Sequence, residues 1–284
     1  MDKPATDAGP GDAPDRPSGE GAPAPLEAGW QIALPSGAVR PGGQARCILG
    51  GQPVLVGRTL ERGLFAFRDV CPHRLVPLSA GRQVDTHGEA TVECPYHGWR
   101  FGTDGVCRLI PSLTERDSYR LSAFRAQSFP VFETAGVIFL WPSQAPAAAP
   151  LQISGASGPP LVWAEVTLGA DSGDARGAGS AISALGWSLS PDGMSARPES
   201  LAARRLCRAP GHLEIQRLGD HLTIESLHTD RGVLSILIGS DAGKAHLLIW
   251  WLGRGVFALG AWDMRTGARR FLNALAEGAE VEFH

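Results

Sequence analysis

"CPHRLVPLSAG" (71–81) and "ECPYHGWRFGTDG" (93–105) decide how this chain is read. Each stretch sets a cysteine ahead of a proline and then a histidine, as Cys71-x-His73 and Cys94-x-x-His97. Two soft thiolates and two imidazoles, offered by two loops, form a donor set for a transition metal. Pro72 and Pro95 stiffen the loops, and Gly98, Gly102 and Gly105 permit tight turns in which backbone N–H groups can approach a bound group.

Outward from these loops the chain reads as short runs of branched and aromatic residues broken by Gly, Pro and Asp. "WQIAL", "ARCIL", "PVLVGRT", "LFAFRDV", "ATVEC", "FPVFET" and "GVIFLW" predict the strands of a small antiparallel domain, with one strand leading into each cysteine loop. Before them, residues 1–27 hold Pro, Gly, Ala and acids with little to bury, the composition of a disordered tail. The domain is expected over 28–142. A Pro- and Ala-rich linker is expected over 143–160, and a second domain over 161–284.

The 284 residues leave room for two cores, and the 36 Gly and 22 Pro favour β-rich structure with many turns. A formal net charge of -3 provides no basic footprint for nucleic acid, and no stretch is apolar enough to span a membrane. The N-terminus lacks the basic-then-apolar layout of a secretory signal. The expectation is therefore a cytoplasmic protein whose five cysteines stay reduced or bind metal.

Tetrahedral zinc accepts the same Cys₂His₂ donors with variable spacing. Zinc fingers, however, carry cysteines as one pair and histidines as another, whereas each loop here offers one of each. In a Rieske [2Fe-2S] centre one iron takes both cysteines and the other both histidines, so a loop carrying one of each reaches both irons. The mixed pairs suit that bridge. Exchanging two thiolates for neutral imidazoles also raises the reduction potential above that of a four-cysteine cluster.

With "GLFAFRDV" before the first loop and "CRLIPS" after the second, the region from about Trp30 to Trp141 resembles the Rieske domain of the Rieske non-haem iron oxygenases. The resemblance implies that Cys71, His73, Cys94 and His97 hold a [2Fe-2S] cluster. Respiratory Rieske proteins add a disulfide-forming cysteine to each loop, and neither loop here has one. Cys47, Cys107 and Cys207 read as small core residues, and His87 as an exposed loop histidine.

The resemblance further implies a mainly β chain: the Rieske-type antiparallel domain, then an α+β domain of helix-grip type built on an antiparallel sheet, which the length left in this chain makes shortened and its missing histidine motif makes degenerate. It implies single electrons from a flavin or ferredoxin reductase fed by NAD(P)H, a small organic substrate and a homotrimer. The activity implied is that of the hydroxylating and demethylating monooxygenases. In that family the second domain holds a mononuclear Fe(II) on two histidines and a carboxylate. The family mark of an acid, two residues, a histidine and a second histidine has no counterpart in "LGADSGDARGAGSAISALGWSLSPDG", which contains no histidine. This absence motivates the alternative of a non-catalytic electron-transfer or ligand-sensing protein.

His212, His221, His228 and His246 come later, near Glu214, Asp220, Glu225 and Asp230. A hairpin turning on Gly219-Asp220 would set Glu214 opposite Glu225 on a face shared with His212 and His221. That face reads as solvated and polar in preference to a metal site. Further hairpin strands and "GVFALGAW" predict a sheet of about five strands, and "RTGARRFLNALAEGAE" a closing helix capped by Thr266.

Overall fold

The computed structural model describes residues 29–114, 120–143, 146–153, 156–167, 180–218, 222–241, 244–253 and 258–277. The expected disordered tail, His221 and Asp220 lie outside them. In the first half run β1 (Gln31–Pro35), β2 (Gln44–Leu49), β3 (Gln52–Arg58), β4 (Leu64–Arg68), β5 (Arg82–Thr86), β6 (Glu89–Glu93), β7 (Arg100–Gly102), β8 (Cys107–Leu109), β9 (Val131–Thr134) and β10 (Val137–Leu140). They form three antiparallel sheets, ordered β1-β10-β9, β2-β3-β4 and β5-β6-β7-β8. On β3 the run Val54-Leu55-Val56 is apolar throughout because both of its faces are covered. Leu55 joins one core with Phe65, Phe67 and Phe101, while Val54 and Val56 join another with Ile138 and Leu140.

The second half comprises β11 (Val162–Thr167), α1 (Ala181–Ala184), β12 (Trp187–Leu189), β13 (Ser195–Pro198), α2 (Leu201–Leu206), β14 (Gly211–Arg217), β15 (Leu222–His228), β16 (Gly232–Asp241), β17 (Lys244–Gly253) and α3 (Ala258–Glu277). Its strands make one antiparallel sheet in the order β11-β17-β16-β15-β14-β13-β12. The sheet thus has seven strands, not about five. Four of the expected strands are β14 to β17, "GVFALGAW" is not among the seven, β11 from "LVWAEVTL" joins beside β17, and β12 and β13 come from a stretch too short and too polar to show alternation.

Both faces of this sheet are buried, and side-chain alternation sorts them. Ala245, Leu247 and Ile249 of β17 pack under α3 with Leu234, Ile236 and Leu227. Leu248 and Trp250 point the other way and meet Trp30, Ile32, Val137 and Phe139 of the first half. The Trp250 indole donates to the carbonyls of Ala135 at 3.1 Å and Gly158 at 3.0 Å, which ties the β9–β10 turn to the sheet. At roughly 25 cal/mol per Å² of apolar area, this shared core stabilises the docking of the two halves substantially.

The closing helix differs from its sequence expectation. It begins at Ala258, so Ala258–Trp262 of the expected strand "GVFALGAW" are helical and Thr266 lies inside the helix. Met264, Ala268, Phe271 and Leu272 recur at helical spacing and make one buried stripe, which outweighs the short local alternation. Gly267 lies within the continuous helix where it passes the C-terminal end of α1; a Cβ there would stand 2.8 Å from Leu185 Cδ2 and 3.0 Å from the Ala184 carbonyl. Close packing of the two helices requires its absence.

Candidate metal centre

The two cysteine loops leave β4 and β6 and fold alike. Cys71 N–H donates to Val76 O and Cys94 N–H to Trp99 O, each at 2.8 Å and each five residues along. Leu75 N–H returns to Cys71 O at 2.9 Å, and Gly98 N–H to Cys94 O at 3.1 Å. The residue four places after each cysteine is left-handed: Leu75 at φ 59° and Gly98 at φ 68°. Glycine takes that conformation freely, whereas leucine pays about 1–2 kcal/mol for it.

Each loop is also fastened by an acid at its base. Asp69, two residues before Cys71, accepts the Ser79 N–H at 2.7 Å and its hydroxyl at 2.6 Å, and meets Arg46 Nε at 3.1 Å. Glu93, directly before Cys94, binds Arg82 at 2.9 Å through Oε1 and Arg100 at 2.8 Å through Oε2. Because Arg82 follows the first loop and Arg100 the second, one carboxylate links the two. The acids are visible in the sequence, but nothing in it names their partners.

The donors then sort by depth. Cys71 and Cys94 are buried, and their thiols hydrogen-bond to one another. Burial pushes the Cys71 thiol up to about 11, against an opposing pull from the backbone N–H groups of His73 and Arg74. Those N–H groups would equally stabilise a metal-bound thiolate, and a metal removes the thiol proton outright. His73 and His97 are exposed, and their Nδ1 atoms face each other at 3.2 Å. Two imidazole nitrogens on one tetrahedral metal stand about 3.4 Å apart, from bond lengths near 2.0–2.1 Å. Loss of solvation, aided by His97 and Arg74, holds His73 below the ordinary imidazole range.

Residues not expected from the sequence complete the site. Trp99 stacks on His73 with ring centres 4.5 Å apart and planes 5° from parallel, and Phe124 meets Trp99 edge-on at 5.2 Å. Tyr96 lies 3.9 Å from the His97 ring. Among the described residues no three His, Cys, Asp or Glu side chains gather around one point. The donors instead stand as a buried sulfur pair and an exposed nitrogen pair, a set that fits a centre of two metal ions with sulfur inside and imidazole outside. Cys107 and Cys207 are buried, Cys47 is half-buried, and His87 is exposed.

In the second half the register corrects the expected carboxylate pair. Glu214 stands opposite Ser226, and Glu225 opposite Ile215, so the hairpin is shifted by one residue and the two acids occupy opposite faces. Glu225 is buried, not solvated. Its carboxylate accepts from Ser180 Oγ at 2.9 Å, Ile182 N at 3.0 Å and Ala181 N at 3.2 Å, which fastens α1 to the sheet. His212 and His228 pair across the strands, and each has its Nε2 within 4 Å of Glu214, at 3.9 Å and 3.6 Å. His246 is buried on the face turned to the first half; neither ring nitrogen is hydrogen-bonded, and Glu165 Oε2 stands 3.7 Å from Nδ1.

Residues 29–130 match the Rieske [2Fe-2S] domain. Pheophorbide a oxygenase of Arabidopsis thaliana is 41% identical over 101 residues, which are 34% of this chain and 18% of that protein. The oxygenase component of dicamba O-demethylase from Stenotrophomonas maltophilia is 35% identical over 98 residues, 34% of this chain and 27% of that one. The matched stretch thus spans less than a third of these relatives. Structural likeness runs further: the crystal structure of dicamba monooxygenase superposes with a TM-score of 0.57 over 90% of this chain and 91% of that one, at 15% identity. The fold is therefore shared across both halves. No helix among the described residues is long and apolar enough to cross a membrane.

Proposed function

We propose that this chain, in which residues 29–130 are a Rieske [2Fe-2S] domain, is an oxidoreductase of the Rieske oxygenase type that binds its cluster through Cys71, Cys94, His73 and His97. The observation that carries the reading is the sorting of the four donors, with the thiols together in the core and the imidazole Nδ1 atoms facing each other at 3.2 Å near the surface. A bound [2Fe-2S] centre supplies one-electron transfer.

The protein's own groups do the rest. The core of Phe67, Phe101, Leu78 and Val92 keeps water from the sulfur side. The N–H groups of His73 and Arg74 are aimed at the Cys71 sulfur, and Trp99 holds the His73 ring plane. The outward edges of His73 and His97 stay open to an electron-transfer partner, for which a flavin or ferredoxin reductase supplied by NAD(P)H is the reading. The second half, from 161 onward past a connector at 143–160, would receive a small organic substrate for hydroxylation or demethylation. A homotrimer and a cytoplasmic address belong to the same reading.

The decisive experiment is the ratio of iron to acid-labile sulfide in anaerobically reconstituted protein, together with electron paramagnetic resonance (EPR) of the reduced form. A Rieske signal with a ratio of about 1.5 is expected for a cluster plus one mononuclear iron, and substrate-dependent O₂ uptake with a reductase should accompany it. A Rieske signal with a ratio of about 1 and no such uptake would replace the oxygenase reading with electron transfer alone. Protein that takes up no cluster would overturn the assignment altogether.

A further inference from the structure

Asp69 has no role in strand pairing that calls for an acid, since β4 ends at Arg68. Yet its side chain is wholly removed from solvent, two residues from Cys71. Its backbone N–H donates to Pro53 O at 2.9 Å, which fixes the residue against β3. From there Oδ1 takes the Ser79 N–H and Oδ2 the Ser79 hydroxyl, so one carboxylate closes the mouth of the loop that carries Cys71 and His73. Both bonds from Ser79 use the Asp69 carboxylate as acceptor, and Arg46 Nε stands 3.1 Å from Oδ2, which is the pattern of an ionised carboxylate.

The charge around Asp69 is unevenly balanced. The Arg46 side chain is 52% exposed and therefore screened by solvent, whereas the carboxylate is fully buried. Glu93 at the second loop differs, because two arginines share it. A buried negative charge beside a redox centre opposes the arrival of another electron, and it does so most strongly where the dielectric is low.

We infer that Asp69 is a positioning residue for the Rieske centre: its carboxylate fixes the first cysteine loop, and its buried charge holds the reduction potential down. This rests on the ligand assignment made above. The test is a redox titration of the full chain, anaerobically reconstituted with iron and sulfide and followed by EPR. Asp69→Asn should raise the midpoint by about a tenfold change in the reduced-to-oxidised ratio, about 59 mV for one electron. Arg46→Gln should lower it by a smaller amount, because that side chain is half exposed. Ser79→Ala keeps the charge, so its midpoint should stay near that of the wild type while its EPR lines broaden as the loop loosens.

Shifts of the same sign in Asp69→Asn and Arg46→Gln, or none in either, overturn the electrostatic role. Unbroadened lines in Ser79→Ala overturn the clamp. If Asp69→Asn does not load, the downward shift in Arg46→Gln still decides the matter, and its absence counts against the inference. A wild-type chain with no cluster signal would instead remove the ligand assignment beneath it.

Discussion

The two cysteine loops close with the same pair of backbone hydrogen bonds and turn at the same place, yet they tolerate that turn differently. The second loop has Gly98 in the left-handed position; the first has Leu75, whose side chain is 73% exposed. The second is braced by an acid between two arginines, the first by a buried acid bonded to a serine and one half-exposed arginine. Equivalent geometry has thus been reached from unlike residues. What the loops share is the hydrogen-bond closure that presents a cysteine inward and a histidine outward. Where they differ, the residue at the turn bears on stability and the buried acid on electrostatics.

The largest expected effect tests the feature the loops share. His73→Ala and His97→Ala should each abolish the Rieske absorption and EPR signals, because under the proposed assignment each removes half of the nitrogen pair; a normal spectrum in either variant would refute that pairing. The loop histidines also contrast with His246, which is buried without a hydrogen-bond partner. Burial depresses its pKa to about 4, with Lys244 adding to the shift and Glu165 opposing it. The unfolded chain therefore binds this proton more tightly than the folded one does. The stabilisation is present above about pH 6.5 and is lost as the pH falls toward about 4, on the order of 3 kcal/mol in all. Urea unfolding at several pH values should show that dependence, and His246→Phe should flatten it.

Smaller effects separate the turns. Gly98→Ala forces a left-handed alanine and brings its Cβ to 3.1 Å from Pro111 Cγ, so a loss of roughly 1–3 kcal/mol is expected in thermal or urea unfolding. Leu75→Gly should act in the opposite direction and raise stability by roughly 0.5–1 kcal/mol, the relief of strain exceeding the added chain entropy. If Leu75→Gly destabilises the protein, the exposed leucine makes a contact that offsets its backbone strain.

The first half was legible because its chemistry lies in contiguous strings. A cysteine and a histidine two or three residues apart carry their meaning locally, and the flanking strands alternate clearly. The second half was legible only in outline. Trp187 and Ala196, in the strands β12 and β13, are buried in its core but sit in runs of three and four residues, too short for a period to show. The expected pairing of Glu214 with Glu225 failed because a shift of one residue in a hairpin reverses every side chain on the strand, and no asparagine-glycine turn pinned the register. Of residues 168–193, where the iron-ligand motif was sought, 168–179 lie outside the described residues.

By itself the sequence determined the four candidate cluster donors, the strands that lead into them and the β-rich character of both halves, since each of these is written in residues close together along the chain. Tertiary structure decided that the thiols face inward and the imidazoles outward, that Asp69 braces the first loop, and that Glu93 links the ends of both. It also decided that Glu225 is buried against α1 and that Trp250 ties the sheet to the first half. Those outcomes depend on groups 7 to 115 residues apart, which only folding brings together. Local spacing can specify which atoms could bind a metal, but burial and the pairing of distant charges are set by the packing of the whole chain.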